Sequence, residues 1–208
     1  ADFVFGIHLG RFVDQVFALA LLVQIQHFLF AAPTCSPWSA HVKNVDPEKR
    51  HKWRNREKPT LIFLVLALIL VSLLGGVWVI ENPQTSDIWE HSPLQALRGW
   101  SHVLDQCAFG AELEGLPVRK PTKLLSSAPL VGAVARCSGT HAHTRLQGSM
   151  PGGVCRTKAA QCYPDQLCTM VLDNVLHVKV NNFEVKPEFL HAIRGEIAKV
   201  TLNNKNKN

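Results

Sequence analysis

The sequence predicts an α/β protein, and three observations carry that prediction. Two short apolar runs, Phe28 to Ala32 and Val77 to Ile80, are each closed by a turn containing proline, as buried strands are. Between them lies a longer apolar run, Thr60 to Leu74, of helix length. Gly75-Gly76 then separates that helix from the β-branched and aromatic Val77-Trp78-Val79-Ile80, which reads as helix, turn, strand. Alternation of apolar segment, turn and helix is the pattern of layered α/β domains.

The bulk properties fit one domain. The chain has 208 residues, enough for a sizeable core. Its 47% hydrophobic and 18% charged residues argue against general disorder. The net charge of +6 makes a polyanionic partner plausible, and the ten histidines add charge only below neutral pH. Six cysteines, at 35, 107, 137, 155, 162 and 168, form no Cys-x-x-Cys pair in a chain too long for a small disulfide scaffold, so a reducing compartment is expected. The chain starts at Ala1 with no basic segment and cleavage site, so no signal peptide is expected and the sequence reads as a fragment or processed product.

Taken in order, Phe12, Val16, Leu19 and Val23 recur at helical spacing and predict a helix over 11–24. Gly6 and Gly10 before it suggest a glycine turn, a weak cofactor signal beside the plainer reading of a loop. His27 to Ala32 is a strand ended by Pro33. Residues 40–58 are the most basic stretch, with His41, Lys43, Lys49, Arg50, His51, Lys52, Arg54, Arg56 and Lys58 around Trp53. They read as a solvated loop and helix start, or as a phosphate-contacting face with an aromatic for stacking. Thr60 to Ile80 is 21 residues without a charge, which meets the length of a bilayer span, so a single membrane-crossing helix over 60–80 is an alternative.

Downstream, Pro93 to Leu97 predicts a short helix, Val103 to Gly110 a strand and glycine turn, Glu112 to Pro117 a loop, and Lys123 to Ser126 a strand. Thr157 to Thr169 reads as a helix interrupted at Tyr163-Pro164, residues 170–180 as strand, Pro187 to Leu202 as a final helix, and 203–208 as a disordered polar tail. Cys137, His141, His143 and Cys155 are possible metal ligands, but their spacing matches no zinc pattern and no metal is assigned.

The chemistry centres on two strand ends. Cys35, between Pro33 and Pro37, sits in a restricted loop after the first strand, and Glu81 ends the second. Open α/β sheets place ligands at such ends. If the strands are neighbours, thiol and carboxyl face one crevice, where the acid could engage a ring nitrogen while sulfur attacks a ring carbon.

Pro33-Thr34-Cys35-Ser36-Pro37-Trp38-Ser39 resembles the Pro-Pro-Cys nucleophile loop of DNA cytosine-5 methyltransferases, with Thr34 in place of the second proline. Glu81-Asn82-Pro83 resembles that family's Glu-Asn-Val motif, with Pro83 in place of valine. Ala108-Phe109-Gly110 and Arg119-Lys120-Pro121-Thr122-Lys123 look like the segment that follows, loosely matching Gln-x-Arg-x-Arg. With Ser86, Trp89, Asp105-Gln106-Cys107, His141-x-His143 and Tyr163-Pro164, the ordered set is similar to methyltransferase-like proteins of protist mobile elements, over roughly residues 25–168.

The resemblance implies an incomplete Rossmann-like methyltransferase sheet with flanking helices. It implies Cys35 attacking C6 of a flipped cytosine, with Glu81 at N3 and the exocyclic amine. Pro33, Ser39, Asn82, Arg119 and Lys123 would line the substrate site, the two basic residues steadying the nucleophile loop and the target. S-adenosylmethionine would be the methyl donor, DNA the partner, and the nucleus or cytoplasm the location, with a membrane as the alternative. Only 34 residues precede Cys35, too few for two βα units, so the donor-binding half is expected upstream or on a second chain. The expected divisions are a partial methyltransferase-like domain over 1–170, a strand and helix extension over 171–202, and the tail over 203–208.

Overall fold

The computed structural model describes residues 28–176, apart from 40, 41, 43 and 96. The helix expected over 11–24, the Gly6/Gly10 turn, His41 and Lys43 of the basic stretch, the helix from Pro187 and the tail lie outside the described residues.

The chain is mixed α/β. Strand β1 (Phe28–Ala31) leads through a one-turn 3-10 helix (Ser36–Trp38) to helix α1 (Pro47–Leu73) and back to β2 (Val77–Pro83). β1 and β2 are parallel neighbours, with Phe28 opposite Val77 and Ala31 opposite Ile80. A second 3-10 helix (Asp87–Glu90), helix α2 (Ser92–Gln95) and β3 (Trp100–Asp105) follow, then a 3-10 turn (Gln106–Phe109) and a hairpin of β4 (Glu112–Leu113) and β5 (Leu116–Pro117). Strand β6 (Pro121–Ser126) inserts antiparallel between β2 and β3, giving the order β1-β2-β6-β3. Helices α3 (Arg156–Ala159) and α4 (Asp165–Val175) close the described chain.

Strand alternation divides the core in two. Trp78, Ile80 and Leu29 face α1, packing with Leu61, Val65, Leu68 and Val71. Val77, Val79, Leu104 and Leu124 face α4, packing with Leu167, Val171 and Val175. A sheet covered on both faces explains why β2 reads as an unbroken apolar run.

Several boundaries differ from those expected, each for a local reason. Helix α1 begins at Pro47, so most of the basic stretch is helix and not loop. Asp46 caps it by accepting a hydrogen bond from the Lys49 amide (2.9 Å), and Pro47 occupies the first helical position. The helix continues through Pro59 and stops at Leu73. Gly75, at φ 75°, donates to Ser72 O, and Gly76 donates to Val71 O, which satisfies the last carbonyls. Residues 60–80 are therefore helix, turn and strand. Among the described residues no helix is long and apolar enough to cross a membrane.

Glu112 to Pro117, expected as a loop, is the β4–β5 hairpin. Glu114 and Gly115 both take positive φ (54° and 75°), as a two-residue hairpin turn requires. Residues 170–175, expected as strand, are helix, because Leu167, Val171 and Val175 recur every fourth position and bury against the sheet.

Candidate functional site

The parallel pairing of β1 and β2 brings both proposed reactive groups to one edge. Glu81 follows Ile80, the last residue of β2 that pairs with β1, and Cys35 lies four residues beyond the end of β1. Glu81 belongs to the strand itself and pairs in register with Leu124 of β6, so its backbone is held on the sheet. Its side chain points to the α4 face and is 4% exposed.

Two groups act on this carboxyl. The Tyr163 hydroxyl donates to Glu81 Oε2 at 2.7 Å, and the Tyr163 ring stands edge-on to Phe30 of β1. The Lys120 ammonium lies 5.2 Å from the centre of the Tyr163 ring and attracts both Glu81 and Cys35. Glu81 Oε1 is buried with no hydrogen-bond partner. Burial raises the Glu81 pKa above the ordinary carboxylate value, against the opposing pull of Lys120 and the Tyr163 hydroxyl. Burial also raises the Cys35 thiol, and the charge of Glu81 pushes it further the same way. Tyr163 is raised as well, by burial first and then by Glu81, and stays a hydrogen-bond donor. The two pKa shifts are coupled in sense: a protonated Glu81 lifts one obstacle to a Cys35 thiolate.

The Cys35 loop is fastened from three sides. Asn82 Nδ2 donates to Pro33 O at 2.8 Å. The Trp38 amide donates to Cys35 O at 2.9 Å, and the Trp38 side chain is buried. Arg54 of α1 donates from Nε to Pro37 O at 3.0 Å, pairs with Asp87, and stacks its guanidinium 4.9 Å from the centre of Trp38. Arg54 is thus a pin for the Cys35 loop, which corrects its reading as part of a solvated or phosphate-contacting face. Lys49 similarly lies over Trp53, and Lys52 pairs with Glu48 one turn away.

Of the residues implied as substrate-binding, Pro33 and Asn82 are joined to each other, and Ser39 ends the 3-10 turn that follows Cys35. Arg119 is paired instead with the fully buried Asp105 (3.5 Å), which Arg136 also approaches (3.1 Å). Lys123 projects to the α1 face over Trp89. The basic residue brought near Glu81 and Cys35 is Lys120, which lies between those two in sequence. Its backbone takes φ 27°, a left-handed conformation rare in a non-glycine residue, and flanking bonds hold it: Gln106 N to Arg119 O (2.8 Å) and Thr122 Oγ1 to Lys120 O (3.1 Å). Tyr163 is the second member to which the resemblance gives no site role; Tyr163-Pro164 stands in the ordered set that carries the resemblance, without a function attached to it.

A separate cluster lies by the turn after β3. The ligand atoms of Cys107, Cys137, His141 and His143 all fall within 4.8 Å of one another. Cys107 takes the place expected of Cys155, which instead contacts Thr157.

A methyl donor of nucleotide type is held where a glycine-rich turn runs from a strand into a helix N-terminus. Among the described residues no strand is followed in that way, so no residue is assigned to S-adenosylmethionine. Comparison with known protein families, with curated proteins and with solved structures finds no match to this chain.

Proposed function

We propose that the chain carries the base-binding part of a DNA cytosine-5 methyltransferase-like site on a Rossmann-like sheet, with Cys35 as nucleophile and Glu81 as its acid partner. The observation that supports this most is the orphaned Oε1 of Glu81, a buried carboxyl oxygen whose charge reaches the Cys35 thiol across the ends of the parallel β1–β2 pairing. A cytosine turned out of its helix offers what this carboxyl lacks. Protonated at Oε1, Glu81 donates to N3, while Oε2, already accepting from Tyr163, accepts from the exocyclic amine.

The chemistry of this chain's residues then follows. Cys35 gives its proton to solvent, helped by Lys120. The thiolate forms a bond from Sγ to C6, the C5–C6 π pair becomes the C4–C5 double bond, and the C4–N3 π pair moves to N3, which takes the Glu81 proton. The products are a neutral adduct, nucleophilic at C5, and a Glu81 carboxylate stabilised by Tyr163 and Lys120. S-adenosylmethionine, when bound, would supply the methyl group to C5.

Exchange at C5 tests the site without the donor. In DNA carrying tritium at cytosine C5, the adduct takes a solvent proton at C5, then loses the tritium to solvent as the Sγ–C6 bond breaks and the Cys35 thiolate leaves, restoring the C5–C6 double bond. Tritium release is expected from the full chain, reduced about a hundredfold or more in Cys35→Ala and in Glu81→Gln. No release from a folded chain, or release that survives Cys35→Ala, overturns the reading.

A further inference from the structure

We propose that Cys107, Cys137, His141 and His143 bind one zinc ion in a closed, structural site. The four residues supply two thiols and two imidazoles, the donor set of structural zinc, and leave no open position for substrate. They lie in two distant pieces of chain. Cys107 is in the turn after β3, and the others fall within seven residues of irregular backbone.

The spacing around Cys137 matches a tetrahedron. Its Sγ lies 3.3 Å from His143 Nε2 and 3.6 Å from His141 Nε2. With zinc–sulfur near 2.3 Å and zinc–nitrogen near 2.0–2.1 Å, the sulfur–nitrogen edge of a tetrahedral site is about 3.5 Å. Both histidines turn the same ring nitrogen, Nε2, to the sulfur, and their rings stand 4.6 Å apart, edge to face. The Gly139 amide donates to Cys137 Sγ at 3.3 Å, which fixes the side chain's position in the loop. The Cys107 and Cys137 thiols are themselves in hydrogen-bonding contact.

The surrounding fold shows what the ion would hold. From Ser127 to Cys155 the chain has no helix and no strand beyond one isolated bridge, Ser149 to Cys155. So long an irregular segment in a compact domain needs anchors. Cys137 N donates to the buried Asp105 carboxylate at 2.9 Å, and Thr144 N donates to Pro117 O at 2.9 Å, so both ends of the 137–144 loop are tied down. The ion would tie its middle to the turn carrying Cys107. The neighbouring Gln106 binds Arg119 O through its amide and Thr122 through its side chain, which places the support next to Lys120.

On binding, the two thiols each lose a proton to solvent, and the zinc with two thiolates and two neutral imidazoles is uncharged. Metal analysis of the full chain, purified reduced and reconstituted, should find one zinc per chain. Cobalt in its place should show thiolate charge-transfer bands and the visible bands of a tetrahedral complex. Cys107→Ser and His143→Asn should each weaken binding about a hundredfold or more, and Cys155→Ser should leave it unchanged. If those variants do not fold, the cobalt spectrum of the unsubstituted chain still decides between two thiolates and none. No stoichiometric metal on the reduced, folded chain overturns the proposal. So does a cobalt spectrum without thiolate bands, affinity untouched by Cys107→Ser, or a Cys107–Cys137 disulfide that persists under reduction.

Discussion

Replacing Tyr163 by phenylalanine tests the electrostatics of the pocket. The ring stays, with its edge-on contact to Phe30, and only the 2.7 Å bond to Glu81 Oε2 is lost. Because Oε1 has no partner, the variant leaves the whole carboxyl without a hydrogen bond. A bond to a charged group contributes about 1.5–3 kcal/mol and a neutral one about 0.5–1.5 kcal/mol. The cost should therefore be about 0.5–1.5 kcal/mol where Glu81 is protonated and about 1.5–3 kcal/mol where it is ionised.

The sign with pH follows from the raised pKa of Glu81. An acid whose folded pKa is raised stabilises the fold fully below its unfolded pKa, and that contribution is lost as pH rises towards the folded one. Removing a donor to the charged form raises the folded pKa again, so Tyr163→Phe should lose more stability as pH rises. Denaturant unfolding of both chains across acid to mildly alkaline pH measures this, and the Glu81→Gln background should abolish the pH dependence of the difference. A cost below about 0.5 kcal/mol that does not change with pH would refute the reasoning.

Alkylation by iodoacetamide at neutral pH should label the exposed Cys155, whose thiol is held below its ordinary pKa by the Thr157 hydroxyl, before Cys35, whose thiol is raised by burial and by Glu81. Glu81→Gln should speed labelling of Cys35, read by peptide mass spectrometry; an unchanged rate would separate the two side chains electrostatically. Gly99→Ala should destabilise the fold by about 1–3 kcal/mol, because its Cβ would stand 2.5 Å from the Ser126 carbonyl and 3.1 Å from Trp78. Thermal unfolding measures that loss, and an unshifted midpoint would mean the β6 end yields without cost.

The strand ends were legible because proline and apolar composition are local signals. Pro33 closes β1 and Pro83 ends β2, so Cys35 and Glu81 could be placed on strand ends from sequence alone. That the strands are parallel neighbours depends on α1 packing between them in the chain order, which no local pattern states. Arg54 looked like one charge among many, since a charge pattern marks an exposed face and not the carbonyl opposite it. Lys120 was passed over for Arg119 and Lys123 because its selection rests on a left-handed backbone that no glycine announced. Cys107 escaped a spacing argument because its partners are thirty or more residues away along the chain. The start of α1 is signalled by Asp46-Pro47-Glu48, a cap, a first-turn proline and a first-turn acid, within a stretch whose basic composition is equally that of a solvated loop.

Pro59 gives α1 a further property. Having no amide hydrogen, it leaves the Asn55 carbonyl without its partner in the helix ladder, at the border between the polar turns and the buried Leu61 to Ser72. The helix is continuous in shape but divided in the source of its order. The later turns are held by the core, whereas the earlier turns owe theirs to the Asp46 cap and to Arg54, whose contacts are with the Cys35 loop and Asp87. The dependence runs both ways. Whatever displaces the Cys35 loop also loosens the first turns of α1, and fraying of those turns removes the Arg54 pin, leaving the loop held by Asn82 and the buried Trp38.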